Sequence, residues 1–301
     1  MKIGIAFGDL RGAAPLPAVR DQIAEAAAAG VTTAWVAQAL GWDALTAIAA
    51  AGQVPGIQFG TSVVPFPQRH PLVLASQALT VQAVTGNRLT LGIGAGISSM
   101  VETMYGLPTD RPARRLREYL GVLLPLLRGE PVSHRGGTLT AVGAVSAPGT
   151  EAPSVLVAAL GPAMLKAAGE LADGTITWMT GPRTLAEHIV PSINKAAADA
   201  GRPAPRTVAG LAVCVTDDAE GVRARFADEF AMAGQVPEYR AMLDREGVAG
   251  PGDVLIVGDD EAVARSFERI RDTGVTEILA APIGTPAEQS RTTKTLADYS
   301  S

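Results

Sequence analysis

The sequence predicts an α/β protein of the (β/α)8, or TIM, barrel class. Three observations carry that expectation. Eight apolar, β-rich runs recur along the 301 residues, and each is followed by a helical stretch. The runs are continuously apolar rather than alternating, as strands are when helices cover the sheet. The composition stays uniform throughout, with no linker between two halves. The alternative is a doubly wound sheet, which carries a phosphate loop after its first strand. Here "GDLRG" follows the first run and is no such loop.

The elements follow in order. Residues 2–7 form a first strand and 17–29 a helix; 32–38 and 43–51 repeat the pair. "IQFGTSVVP" (57–65) is the third strand, and "HPLVLASQALTVQAVTG" is a helix closed by Gly86. "RLTLGIGAG" is the fourth strand, and a helix over 113–128 opens at Asp110 and Pro112. Residues 129–153, rich in Gly, Pro, Ser and Thr, break the rhythm and read as an inserted hairpin. The alternation resumes with strand 154–160, helix 162–171, strand 174–180 and helix 183–200. "TVAGLAVCVT" (207–216) is the seventh strand. Two helical stretches follow it, with a break near 247–252. Helix 259–272, strand 276–284 and helix 286–299 complete the series. The expectation is one barrel domain over 1–301, with insertions after strands four and seven, the first at about 129–153.

A net charge of -5 argues against a nucleic-acid partner. With 47% hydrophobic but only 4% aromatic residues, the core must be built from Ala, Val, Leu and Ile. The one cysteine, Cys214, permits no disulfide within the chain and reads as a small buried hydrophobe. No apolar run reaches the length of a membrane span, and the N-terminus reads as a strand rather than a signal peptide. A cytoplasmic protein with no membrane partner is expected.

A barrel of this class works at the C-terminal ends of its strands. Here those ends are residues 7–10, 38–42, 62–66, 94–98, 160–162, 179–182, 215–217 and 282–285. They are apolar and backbone-rich. His70, His134 and His188 have no second ligand at metal spacing, and there is no Gly-x-Ser-x-Gly elbow. A mouth so poor in ionisable groups needs a bound cofactor to supply the chemistry, with a small molecule as substrate. "LGIGAGIS" lacks the third glycine of a dinucleotide fingerprint, since Ile97 stands in its place. Its glycines instead let a flat ligand or a neighbouring backbone come close. "ALGP" has two readings. Gly161 and Pro162 form a plain βα turn with a good helix start. They also leave the amides of Ala163 and Met164 free to attract an anion, with Lys166 one turn on. "TGP" repeats the device and adds the Thr180 hydroxyl. Arg111, Arg114, Arg115 and Arg117 form a solvated face, with an Arg114–Glu118 pair, or hold the acidic tail of a ligand. His70 caps a helix, bonds a loop or takes part in catalysis.

"TSVVP…RHPLVLASQALTVQAVTGNRLTLGIGAG", "ALGPAMLKAAGELADG" and "WMTGP" resemble the bacterial luciferase-like superfamily of (β/α)8 oxidoreductases. Within it they look most like the branch that uses the deazaflavin coenzyme F420. The resemblance covers nearly the whole chain and is firmest over 61–96 and 158–182. It implies a non-prolyl cis peptide between Ser62 and Val63, forming a bulge behind the cofactor ring. It puts Gly94, Ala95 and Gly96 near the ring, and Ala159, Leu160, Gly161 and Pro162 near the phosphate. Phe7, Met179 and Thr180 complete the expected cofactor-binding set. Sugar-phosphate dehydrogenases of this branch carry an acid and a His after strand two and a Glu after the strand-four glycines. Gln38, Ala39 and Ile97 stand there in this chain. The missing acid/base pair implies a reductase that passes hydride from reduced F420 to an activated C=C, C=N or C=O. Gln38, Trp42, His70 and Tyr105 are the candidates for positioning or protonation. An FMN-dependent luciferase-like monooxygenase is the alternative, and a non-catalytic cofactor-binding protein a third. The family also implies a homodimer.

Overall fold

A computed structural model describes residues 1–8 and 14–299; Asp9 and Leu10, at the end of the first predicted strand, lie outside the described residues. The chain runs β1 (Lys2–Gly8), α1 (Leu16–Ala28), β2 (Thr33–Ala37), α2 (Ala44–Ala51), β3 (Gln58–Thr61), β4 (Val64–Pro65), α3 (Pro71–Thr85) and β5 (Leu89–Gly94). It continues with α4 (Ser98–Tyr105), α5 (Pro112–Leu127), β6 (Val132–Arg135), β7 (Thr140–Gly143), β8 (Ser154–Ala158), α6 (Pro162–Leu171) and β9 (Gly174–Trp178). Then come α7 (Pro182–Thr184), a wide helical turn (Leu185–Ile189), α8 (Val190–Asp199) and β10 (Arg206–Val215). The last part holds α9 (Ala219–Glu229), α10 (Ala231–Gly234), α11 (Pro237–Glu246), β11 (Ile256–Gly258), α12 (Asp260–Arg271), β12 (Glu277–Pro282) and α13 (Pro286–Asp298).

The sheet closes on itself. Its order is β1-β2-β3-β5-β8-β9-β10-β12, with β12 returning to β1 and β9 pairing β10, all in parallel. These are the eight expected strands of a (β/α)8 barrel. Local chemistry starts its helices as the sequence implied. Asp43 and Asp259 accept from the amides of Thr46 and Ala262, Pro opens α3, α5 and α6, and Thr285 and Glu288 form a capping box on α13.

Large side chains on the strands point outward to the helices, and small ones point in. On β1, Ile3, Ile5 and Phe7 join the core under the helices, while Ala6 belongs to the barrel interior. The interior has a polar floor: Arg206 makes two bonds to the Glu277 carboxylate, at 2.7 and 2.9 Å, and donates to Thr90 and Ser154 hydroxyls at 3.1 Å each. Trp35, Leu156, Ile176, Val208 and Leu279 fill the middle. Gly4 and Gly60 leave room for the Trp35 indole.

Four expectations need correction. The third strand is two, β3 and β4, because three residues on it (Thr61–Val63) face two on β5, which makes a bulge. The 97–110 segment, expected as a loop, contains α4, which ends at Gly106 in the left-handed conformation. The insertion after the seventh barrel strand includes β11, paired with the end of β10. The Arg114–Glu118 pair does not form. Glu118 instead accepts from His134 Nε2 at 2.9 Å and from the Thr138 and Leu139 amides, tying the β6–β7 hairpin to α5. Burial raises the affinity of that carboxyl for its proton. The bonds from Thr138, His134 and Leu139 outweigh it and hold the pKa at about 2. No helix among the described residues is long and apolar enough to cross a membrane.

Candidate active site

The C-terminal ends of β1, β2, β3, β5, β8, β9, β10 and β12 surround a mouth whose inward residues include Ala6, Val63, Ala158, Trp178 and Ala281. Except for Trp178, these side chains are small and apolar. Ala6 and Ala281 are fully buried, and Val63, Ala158 and Trp178 above them are partly exposed, with Trp178 the one large side chain. Trp178 also packs on Phe230, ring centroids 6.4 Å apart, and so joins the barrel to the insertion after β10.

The Ser62–Val63 peptide is cis. Around it, the Thr61 hydroxyl donates to the Gly92 carbonyl at 2.7 Å and accepts from the Gly92 amide at 2.8 Å. That side chain replaces the ladder bonds lost at the bulge. A Cβ at Gly92 would run into the Thr61 carbonyl, and one at Gly94 would lie 2.6 Å from Val63. The strand-five glycines therefore admit a neighbouring segment of this chain, resolving the two readings of "GIGAG". The Ser62 Oγ is buried and has no hydrogen-bond partner among the described residues. Such a group costs stability unless a ligand pairs with it.

The two Gly-Pro joints differ. At Gly181–Pro182, Glu246 on α11 accepts from the amides of Arg183 at 3.1 Å and Thr184 at 2.7 Å. The anion-attracting helix start is filled by the protein's own carboxylate. A Cβ at Gly181 would collide with that carboxylate. At Gly161–Pro162 no side chain among the described residues caps α6. Gly161 has an ordinary φ of -79°, and a Cβ there would meet nothing within 4 Å. Neither backbone conformation nor a neighbour requires glycine at 161, and the space beside it is open. A buried hydroxyl at Ser62 with no partner among the described residues, small apolar side chains at the strand ends and an open helix start suit a planar ring carrying a phosphate arm.

The predicted cofactor residues divide accordingly. Ser62, Val63, Gly94, Gly161 and Pro162 stand at strand ends around the mouth, and Ala95 and Gly96 follow directly after β5. Phe7 and Ala159 do not present their side chains there. Strand periodicity puts both on the helix-facing side, leaving Ala6 and Ala158 as their inward neighbours. Met179 packs with Leu243 and Val254, and Thr180 is buried with its hydroxyl bonded to the Trp178 carbonyl at 3.3 Å. Leu160 contributes its carbonyl to a bond from His188. Lys166 is solvated and lies 3.8 Å from Glu170.

The four candidates for positioning or protonation are not gathered at one point. His70 Nδ1 accepts from the Leu72 amide at 3.3 Å, so Nε2 carries the proton and donates to the Thr140 carbonyl at 2.8 Å. That ring is a joint between α3 and the hairpin. Trp42 is 46% exposed and donates to the Ala14 carbonyl at 2.7 Å, and Tyr105 is 48% exposed at the end of α4. Gln38, half-buried just after β2, accepts from the Ala44 amide at 3.1 Å and from the Arg69 guanidinium. The backbone donor fixes which end of the Gln38 amide is oxygen, and leaves its NH2 group with no partner among the described residues. Arg69 is also paired with Asp43. Of the arginines near α5, Arg111 and Arg115 pair with Asp110, and Arg117 with Glu170. Sequence reasoning missed Trp178, His188 and Glu246. Only Trp178 left a trace, as the large residue on the inward phase of β9.

A family model described as luciferase-like monooxygenase matches residues 3–298. The chain belongs to this family. It is an oxidoreductase by that membership and by its relatives. A 5,10-methylenetetrahydromethanopterin reductase of Methanopyrus kandleri is 29% identical over 283 residues, covering 78% of this chain and 79% of the relative. Among solved structures, the coenzyme F420 dependent tetrahydromethanopterin reductase from Methanopyrus kandleri superposes with a TM-score of 0.83 at 22% identity, covering 98% of this chain and 97% of that one. The oxygenating constituent of 3,6-diketocamphane monooxygenase from Pseudomonas putida, in complex with FMN, gives 0.78 at 19% identity, covering 99% and 97%. The luciferase-like fold thus accommodates flavin and deazaflavin proteins alike.

Proposed function

We propose that this luciferase-like protein is a reductase using coenzyme F420, and that its substrate is a small organic molecule with an activated C=C, C=N or C=O bond. The observation that carries the reading is the open start of α6, where a Cβ at Gly161 would meet nothing within 4 Å and the Ala163 and Met164 amides have no acceptor among the described residues. Those amides hold the cofactor phosphate. The Ser62 hydroxyl, buried without a partner among the described residues, bonds a polar edge of the ring, and Val63 and Trp178 line the mouth around it. Reduced F420, when bound, supplies the hydride. The free NH2 group of Gln38 donates to the substrate's oxygen or nitrogen and orients the acceptor bond. No acid/base pair stands at residues 38, 39 and 97, so the proton comes from water. That favours reduction over alcohol oxidation. A relative named as a putative coenzyme F420-dependent oxidoreductase, 30% identical over 198 residues, supports this choice of cofactor.

FMN carries the same ribityl phosphate, and the FMN-containing neighbour keeps a monooxygenase as the second reading. Fluorescence titration with F420 and with FMN separates the two. Micromolar binding of F420, and oxidation of reduced F420 in the presence of an enone, imine or ketone, is the expected result. Binding of FMN with none of F420 overturns it. Gln38→Leu should lower kcat/KM about tenfold with cofactor affinity unchanged, as loss of one hydrogen bond to a polarised group implies.

A further inference from the structure

The His188 side chain is 7% exposed and spends its ring on one backbone atom of the strand end that precedes α6. Its Nε2 lies 2.8 Å from the carbonyl of Leu160. A carbonyl only accepts, so Nε2 carries a proton; Nδ1 has no hydrogen-bond partner among the described residues. Leu160 immediately precedes Gly161, the residue from which α6 starts. The sheet pairings of β8 end at Val157 towards β5 and at Ala158 towards β9, so the Leu160 carbonyl has left the ladder. His188 gives it the partner that a backbone acceptor needs.

The anchor is itself held. His188 sits in the wide turn Leu185–Ile189, where the Val190 amide bonds the Leu185 carbonyl five residues back. Such turns recur at functional sites. Three residues before this turn, the helix begins on the Glu246 carboxylate. Beyond it, α8 meets α6 closely, a Cβ at Gly169 lying 2.7 Å from Ala196. Thr175 adds a second tie, donating to the Val157 carbonyl at 2.9 Å. The turn that aims the Ala163 and Met164 amides is thus fixed from the neighbouring βα unit.

We infer that His188 is a positioning residue for phosphate recognition: by holding the Leu160 carbonyl it fixes the direction of the α6 amides. This rests on reading the α6 start as the phosphate site. The test compares affinity for F420 with affinity for the phosphate-free deazaflavin that has the same ring and ribityl chain. In His188→Gln the side-chain amide NH2 reaches the place of Nε2. His188→Asn stops short of it, and His188→Leu fills the space without a donor.

The wild type should prefer the phosphate-bearing form. His188→Gln should keep that preference within about threefold, and His188→Asn should lose about tenfold of it with the phosphate-free form bound as before. Melting temperatures establish that each variant is folded, and either donor-less variant serves if the other is not. A preference that survives loss of the donor overturns the role of His188 alone. So does equal weakening of both forms, which marks a merely structural histidine. A wild type with no preference for the phosphate-bearing form overturns the reading of the α6 start and this inference with it.

Discussion

Gly161–Pro162 and Gly181–Pro182 follow neighbouring strands, β8 and β9, and open helices in the same way. At the second, Glu246 on α11 occupies the helix start, and Gly181 is required because any side chain would strike that carboxylate. At the first, no side chain among the described residues caps the helix, and a Cβ at Gly161 would meet nothing within 4 Å. A helix start attracts an anion whatever its source. One joint is closed by a carboxylate 62 residues away in sequence, and the other, the proposed phosphate site, has no such carboxylate among the described residues. A sequence motif for anion binding is thus only half of a site. The other half is whether the fold brings its own anion.

Gly161→Val breaks the comparison most sharply. It should weaken F420 binding about thirtyfold, roughly 2 kcal/mol, by filling the space at the phosphate. Thermal stability should stay within about 0.5 kcal/mol, since 161 has ordinary backbone angles and no neighbour. Unchanged affinity would remove "ALGP" from the site.

Glu246→Ala tests the closed joint. Two amides lose a charged acceptor, and stability should fall by about 2 kcal/mol, seen in calorimetry as a melting point about 3 °C lower. Gly181→Ala should cost less when combined with Glu246→Ala than on its own, because the clash then has no partner. Additive losses in that double variant would contradict the proposed collision.

Glu118 offers a milder test of the same idea, that internal carboxylates satisfy backbone amides. Its carboxyl is held at about 2, below the ordinary 4.5. A depressed carboxyl contributes stability that is fully present above the unfolded value and disappears as pH falls through the folded one. The hairpin should therefore loosen between about pH 4.5 and 2. Glu118→Gln should cost about 1 kcal/mol at neutral pH and flatten the melting-temperature profile over that window. A profile unchanged by the substitution would show the hairpin to be held by other contacts.

The eight strands were legible because each is a continuous apolar run bounded by turn residues. β11 was not: it is three residues long and owes its strand form to pairing with β10. α4 escaped because only Val101 of its eight residues is buried, leaving no apolar stripe to read. The cis Ser62–Val63 peptide, implied by the resemblance, is present. Phe7 and Ala159, expected among the cofactor residues, turn their side chains to the helices, which was not legible because both phases of these strands are apolar. Size carries the phase instead, since β1 alternates large Ile3, Ile5 and Phe7 with small Gly4, Ala6 and Gly8. Glu246 and His188 left no local signal. They reach their backbone partners across 62 and 28 residues, a product of barrel closure rather than of neighbouring sequence.

The central claim is that the α6 start, and not the α7 start, receives the cofactor phosphate. A crystal structure of the protein grown with F420 tests it most directly. The account predicts a phosphate about 3 Å from the Ala163 and Met164 amides, with Glu246 still bound to Arg183 and Thr184. A phosphate at Arg183 and Thr184 with Glu246 displaced, or one held away from both helix starts, would contradict it.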